Sequence, residues 1–295
     1  SSRRRHTRYG TVTGVQTCAL PIWQDGSAWN YGRLDDPNRP AYTYARQVDY
    51  VSGAAIAIPT ALWQSLGGFD PVYAPAYCED SDIAFRIRAR GLEVWMQPLS
   101  RVVHYEGITS GTDTSSGTKA YQVINQQTFL SRWGAVLANH RPNGQDPRRE
   151  CERSVTKRVL MLDVTAPTPN QDAGSVTVVQ TIAVFQAMGY KVTYLPLDNW
   201  LYQPDNIDPL RRTGVECLFA PYELDLDAYL SKEGDLFDIV YVFRFDVLRR
   251  ALPSIKRRAA KAKLIFYNQD LHYLRVMRQA EVENSVALQI GRAHV

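Results

Sequence analysis

Residues 67–107 read GGFDPVYAPAYCEDSDIAFRIRARGLEVWMQPLSRVVHYEG, and the order of their features decides how the first half of the chain is understood. The spacing predicts a helix over 81–90, closed by Gly91, then short strands over 92–97 and 101–104, the second ending at His104. Glu79, Asp80 and Asp82 crowd the start of that helix. Acids there satisfy free amides and oppose the helix dipole, and Asp82 with Arg86 makes an i,i+4 pair. Capping alone does not need three acids in four positions. They repel one another unless some bind a ligand or move a proton. A structural and a chemical reading of the run therefore stand side by side.

Working outward, residues 48–58 (VDYVSGAAIAI) read as an apolar strand interrupted by Ser52-Gly53-Ala54. Pro59 and Gly67 frame a short helix with Leu62 and Leu66 inward. The stretch 23–40 is polar and turn-rich. A helix over 118–133 is expected to bury Tyr121, Ile124, Phe129 and Leu130. Residues 139–155, beginning NHRPNGQDPRRE, are low in apolar content, as linkers are. Beyond them, strands at 158–164, 191–195, 215–219, 237–243 and 263–267 alternate with helical stretches. That grammar indicates a parallel sheet covered on both faces. The expected domains are 23–138 and 156–289, joined by the linker.

A chain of 295 residues with 45% hydrophobic, 11% aromatic and 22% charged residues is globular in character. No apolar run approaches the roughly 18 residues of a membrane helix. Cys18, Cys78, Cys151 and Cys217 have neither metal-like spacing nor the density of a disulfide scaffold, so a reducing, cytoplasmic setting is the default. The ends read differently. Residues 2–8 (SRRRHTR) and 12–22 (VTGVQTCALPI) back-translate to stretches that resemble the constant parts of a short-read sequencing adapter. Residues 290–295 (IGRAHV) resemble the reverse complement of one of them. Residues 1–22 and 290–295 are therefore set aside as adapter-derived. Without their five arginines the net charge falls from +4 to −1, and the case for a nucleic-acid partner goes with it.

Gly67-Gly68-Phe69-Asp70, then Glu79-Asp80-Ser81-Asp82 with Arg86 a turn later, then a strand ending in His104-Tyr105-Glu106-Gly107, resembles the C-terminal, acceptor-side half of the family 2 glycosyltransferases, which have the GT-A fold. The likeness covers about 23–133. Residues 29–52 also resemble bacterial members that build cell-surface polysaccharides. The resemblance implies that Asp80 is the general base of an inverting transfer, with Glu79 orienting the acceptor or tuning Asp80. Asp82, Arg86 and Tyr77 fall on the substrate-binding side, with Asp82 and Arg86 expected chiefly to hold the helix in place. His104 matches a histidine that ligates the divalent metal, Mn or Mg, on the diphosphate of some relatives. A structural histidine is the other reading. Ser52, Gly53 and Ala54 match a segment beside the donor, where small residues let the backbone approach a ligand, although close packing explains them as well. Trp95 is expected in the core.

The family's Asp-x-Asp metal motif has no counterpart in this chain, since Asp35-Asp36 precedes a proline in a turn. The donor-binding half is expected upstream, and the fragment alone is expected to be inactive. The partners implied are a nucleotide-sugar donor and a glycan or lipid-linked glycan acceptor, in the cytoplasm or at the inner face of the membrane.

The second domain opens strand, loop, helix, strand. Its loop, 165–175, has neither G-x-G-x-x-G nor P-loop spacing, which argues against a dinucleotide site and against an epimerase. Gly174-Ser175 opens a helix as a plain cap or as an anion contact. Residues 158–163 (RVLMLD), Gly174-Ser175, 189–193 (GYKVT) and 268–272 (NQDLH) resemble the N-terminal, acceptor-side part of a GT-B glycosyltransferase of the family 4 type. Asp270 and His272 stand just past a strand's C-terminal end, where open α/β sheets bind ligands. The fold expected is thus α/β, a partial GT-A Rossmann-like domain with a mixed sheet followed by a partial GT-B Rossmann-like parallel-sheet domain. A non-catalytic glycan- or partner-binding remnant is the competing function.

Overall fold

The computed structural model describes residues 21–29, 31–32, 35–100, 120–198, 200–268 and 272–283. Two compact units account for them. One holds residues up to Ser154 with Arg211–Gly214, and the other holds Val155–Leu210 with the residues from Val215 onward. Among the described residues no helix is long and apolar enough to cross a membrane.

In the first unit, helix α1 (Thr60–Leu66) ends where the two glycines require it. Gly67 turns left-handed with φ 75°, and its N–H closes on the carbonyls of Gln64 and Trp63. Gly68 follows at φ 69°, and a Cβ there would meet the Trp63 ring at 2.9 Å. The next helix, α2 (Glu79–Arg88), is buried on nearly every side. Ile83, Ala84 and Ile87 join Val48, Val94 and Met96 in one apolar cluster. Phe85 joins Ile22, Tyr73, Phe129 and Leu137 in another. Each such side chain withdrawn from water contributes about 1.5–3 kcal/mol, so the helix carrying the acids is among the best fixed elements of the unit.

Three expectations change here. The apolar run 48–58 is not a strand. Among the described residues β1 (Arg46–Gln47) pairs, antiparallel, with β2 (Trp95–Met96), Tyr50 makes a lone bridge, and Gly53–Ala55 form a 3-10 turn. Ser52 caps that turn through its hydroxyl, which accepts the Ala54 N–H at 3.3 Å, the local bond by which serine competes with a strand ladder. Trp95 is 54% exposed, not in the core, and its indole N–H donates to Glu93 at 2.7 Å. In α3 (Tyr121–Leu137) the buried positions are Asn125, Phe129 and Leu137, while Tyr121 and Ile124 stand exposed. Phe129 packs edge-on to Phe85 at 5.1 Å, and this contact sets the rotation of the helix.

The stretch 139–155 holds α4 (Pro147–Cys151), capped by Asp146, with Glu150 and Cys151 buried. Ile22 is fully buried as well, and its N–H donates to Asp49 at 2.9 Å.

The second unit is built on a five-stranded parallel sheet. The strands are β3 (Lys157–Asp163), β4 (Tyr190–Pro196), β5 (Glu216–Cys217), β6 (Ile239–Phe243) and β7 (Lys263–Tyr267), in the order β5-β4-β3-β6-β7. Every pairing is parallel. In central β3 the period of two divides the apolar run between two layers. Leu160 and Leu162 meet one cluster, with Val240, Val242, Val247 and Ala251, while Val159 and Met161 meet the other, with Val178, Ile182 and Val192. Helices α5 (Ala173–Ala187), α6 (Pro204–Arg212, of which Arg211 and Arg212 count with the first unit), α7 (Leu226–Glu233), α8 (Phe245–Arg258) and α9 (His272–Val282) complete the unit. The Asp172 carboxylate takes the N–H and the hydroxyl of Ser175, so Gly174-Ser175 begins α5 with a filled cap.

Candidate active site

The chain enters α2 through two consecutive left-handed residues that are not glycine, Tyr77 at φ 79° and Cys78 at φ 69°. Such a conformation costs about 1–2 kcal/mol per residue, so neighbouring contacts must hold it. Cys78 is the N-cap and makes no side-chain cap bond. Burial, then the nearby acids, push its thiol up to about 12. It is therefore a neutral thiol and no nucleophile.

Asp80 is held from two sides. Its Oδ2 accepts the backbone N–H of Gly53 at 3.0 Å, and its Oδ1 accepts the N–H of Ser81 at 2.7 Å. Burial pushes the carboxyl above its ordinary value against the pull of these bonds. Glu79 is also raised, first by burial, and Asp80 adds to it. Its Oε2 is withdrawn from solvent without a hydrogen-bond partner among the described residues. Gly53, Ala54 and Ala55 are exposed, and a Cβ on Gly53 would lie 3.5 Å from Asp80 Cβ and 3.8 Å from the Phe69 ring edge. A carboxylate of raised proton affinity thus stands beside a small-residue turn open to a ligand. Tyr77 leads directly into it and is half-buried.

Asp82, four positions from Cys78 and one turn into the helix, does different work. It is fully buried. Its Oδ1 accepts from the Tyr73 hydroxyl at 3.1 Å, Arg132 Nη1 at 2.9 Å and Trp133 Nε1 at 2.9 Å, and its Oδ2 accepts from Arg86 Nε at 2.7 Å. Arg86 then donates to the carbonyls of Leu66 and Gly68, and Arg132 to Asp70. Of the two roles open to Asp82 and Arg86, the contacts observed are those of anchoring, which tie α2 to the end of α1 and to α3. Arg132, Trp133 and Asn125 had no part in the sequence reading. A polar residue in an otherwise apolar helical stripe, as Asn125 is, was the available signal.

A metal was expected at His104, which lies outside the described residues, as do Asp270 and the side chain of His272. Within them, Asp49, His140 and Glu150 bring ligand atoms within 4.8 Å of one another. The donors around them do not suit a cation. Asp49 accepts from Arg88 at 3.0 Å and from Arg153, and Glu150 from Arg141 at 2.9 Å and from Arg153. His140 Nδ1 lies 2.6 Å from the Ile22 carbonyl, an acceptor only, so that nitrogen carries the proton and has no lone pair to offer. The ring's Nε2 keeps its lone pair, so what stands against a divalent ion is the arginines, which it would have to displace from both carboxylates. Asp35 is likewise engaged, with Arg39 and the Tyr42 hydroxyl.

Residues 4–128 match the family model described as Glycosyltransferase like family 2, so a glycosyltransferase-like domain occupies that part of the chain. The match begins inside the stretch set aside as adapter-like, which it does not support as such, and it ends before the parallel-sheet unit. No curated protein and no solved structure matches the chain.

Proposed function

We propose that residues 23–138 are the acceptor-side half of an inverting, nucleotide-sugar-dependent glycosyltransferase in which Asp80 is the general base. One observation carries this reading: a carboxylate of raised proton affinity stands at the start of a rigid helix against the exposed Gly53 turn. The family match over 4–128 supports it. In the reaction, an acceptor hydroxyl oxygen attacks the anomeric carbon and its proton passes to Asp80. The bond from that carbon to the nucleoside diphosphate breaks on the opposite face, and the pair of electrons leaves with the phosphate oxygen. Raised basicity suits this task, since proton transfer is most efficient when the catalytic pKa approaches the working pH. Glu79, raised by burial and by the neighbouring Asp80, orients the acceptor or tunes Asp80 in this reading. Gly53 and Ala54 leave room for the sugar, and Tyr77 offers a ring beside it.

A divalent ion, where bound, supplies charge neutralisation on the diphosphate. The described residues do not fit one, and no step is assigned to it. The likeness of residues 29–52 to makers of surface polysaccharides supports a glycan or lipid-linked glycan acceptor in the bacterial cell envelope, reached from the cytoplasmic face. The parallel-sheet unit is read as the acceptor-side part of a second, GT-B-like transferase, on its sequence likeness alone.

The test uses a chain extended upstream through a nucleotide-binding half, with nucleoside diphosphate release as readout over a panel of nucleotide sugars. Asp80→Asn is expected to lower kcat by about 10²-fold or more. Transfer near the wild-type rate would remove Asp80 from the base role and favour the glycan-binding reading. The chain without that half is expected to release no nucleotide.

A further inference from the structure

We infer that Asn125 on α3 is a positioning residue for Asp80, holding the left-handed turn at Tyr77 and Cys78 that presents the carboxylate to Gly53. The use made of Asp80 rests on the glycosyltransferase reading, but the positioning does not. Asn125 is 2% exposed, and its Nδ2 donates to the carbonyls of Tyr73 at 2.7 Å, Ala76 at 2.7 Å and Tyr77 at 3.2 Å. All three neighbours are acceptors, which settles the amide's orientation: the NH₂ must face them. Two N–H groups serve three carbonyls, so one is shared.

The choice of carbonyls matters. Those of Ala76 and Tyr77 belong to the two peptide planes on either side of Tyr77. Pinning both planes fixes φ and ψ of Tyr77 and the entry to Cys78, where both residues sit at φ values that L side chains avoid. The carbonyl of Cys78 then accepts the N–H of Asp82 at 2.9 Å, which starts α2 and sets the direction in which Asp80 leaves the helix. Without the amide the three carbonyls lose this donor, and the two residues are drawn back towards right-handed or extended backbone. Either change rotates the first turn of α2 and carries Asp80 away from Gly53. Downstream, Arg132 and Trp133 of the same helix grip Asp82. Helix α3 thus holds the start of α2 on both sides of the candidate base, with Asn125 on the side of the strained turn.

The experiment follows the Gly53 amide in proton–nitrogen spectra of the whole chain, because that N–H is bonded to Asp80 and its signal moves as the carboxyl titrates. Asp80→Asn removes the movement and identifies it. Asn125→Ala is expected to reduce it by about half or more, the bond being made only in the held geometry. Adding Tyr77→Gly and Cys78→Gly to Asn125→Ala is expected to restore it, since glycine takes positive φ without the side-chain penalty at both positions. An amide that merely filled the core would lower the melting temperature and leave Gly53 titrating as in the wild type, and that outcome overturns the inference. Failure of the two glycines to restore the signal overturns it too. Should Asn125→Ala not fold, Asn125→Ser keeps one donor, and an unchanged Gly53 titration in that variant is equally decisive. The transfer assay of Asp80→Asn tests the enzymatic reading separately, because the Gly53 signal reports geometry whether or not sugar moves.

Discussion

The backbone N–H of Gly53 and the Asp80 Oδ2 are joined at 3.0 Å across 27 positions of sequence. That bond links the exposed small-residue turn to the first turn of α2, and it stabilises the ionised carboxylate that burial disfavours. The balance of those two effects gives the site its pH behaviour.

Because burial prevails, Asp80 in the folded chain binds its proton more tightly than in the unfolded chain, where 3.8 is the reference. The sign follows from linkage. Stability from this group is complete below the unfolded value and is lost as pH rises through the folded one. Asp80→Asn is therefore expected to melt above the wild type at pH 7, by about 2 °C or more, with the gap closing as pH falls towards 4. Thermal unfolding across that range checks it. A variant that melts lower at pH 7 would show that hydrogen bonding outweighs burial. A stabilising loss of a catalytic group is the usual sign of an active site that gives up stability for function.

Asp82 is the opposite case. Removing it leaves Arg86, Arg132, the Trp133 indole and the Tyr73 hydroxyl without their shared acceptor. Breaking one member of a buried ion pair costs about 3–5 kcal/mol. Arg132 is 38% exposed and can turn to solvent, so the lower end is expected for Asp82→Ala. Denaturant unfolding measures it. A loss under about 1 kcal/mol would mean that water reaches the pair and that α2 is held by its apolar face alone.

Gly53 separates the need for a donor from the need for space. A Cβ at this position makes only ordinary contacts, 3.5 Å to Asp80 Cβ and 3.8 Å to Phe69. Gly53→Ala is thus expected to keep the fold and the Asp80 bond, with stability within about 0.5 kcal/mol. Gly53→Leu keeps the N–H as well but fills the ground beside Asp80. In the extended chain it is expected to raise the acceptor KM with the Asp80 titration unchanged. An unaltered KM would place the acceptor elsewhere.

Much of this arrangement was legible before any coordinates. Gly67 ends a helix because its left-handed backbone, φ 75°, favours glycine, and the alternating strands and helices after 156 fit a parallel sheet. What stayed hidden was long-range. Asp82 with Arg86 was legible as an i,i+4 anchor, but nothing local tells that Asp82 also meets Arg132 and Trp133, 50 and 51 positions away. Residues 48–58 have strand composition, but the turn at Gly53 is closed by Ser52 and Asp80, a tertiary choice that overrides propensity. Residues 139–155 read as a linker because their charges look solvated, whereas Glu150 is buried among Arg141 and Arg153.

The parallel-sheet unit carries its own strained residue. Arg244 caps α8 at φ 68° and ψ 141°, and its Nε donates to Asp163 Oδ1 at 2.8 Å, at the C-terminal end of β3. Burial raises the Asp163 carboxyl, and Arg244 opposes the rise. Arg244→Ala keeps the strain and loses the pair, while Arg244→Gly loses the pair and relieves the strain. The glycine variant is therefore expected to be the more stable of the two by about 1 kcal/mol or more. In both, Asp163 binds its proton more tightly than in the wild type, so the deficit relative to wild type should grow as pH rises through its folded value and shrink in acid. Unfolding of the two variants between pH 4 and 8 measures both effects, the difference between them reporting the backbone and its slope with pH reporting the charge. Equal stabilities would show that the Arg244 backbone is unstrained, and a deficit independent of pH would show that the pair never opposed the burial of Asp163.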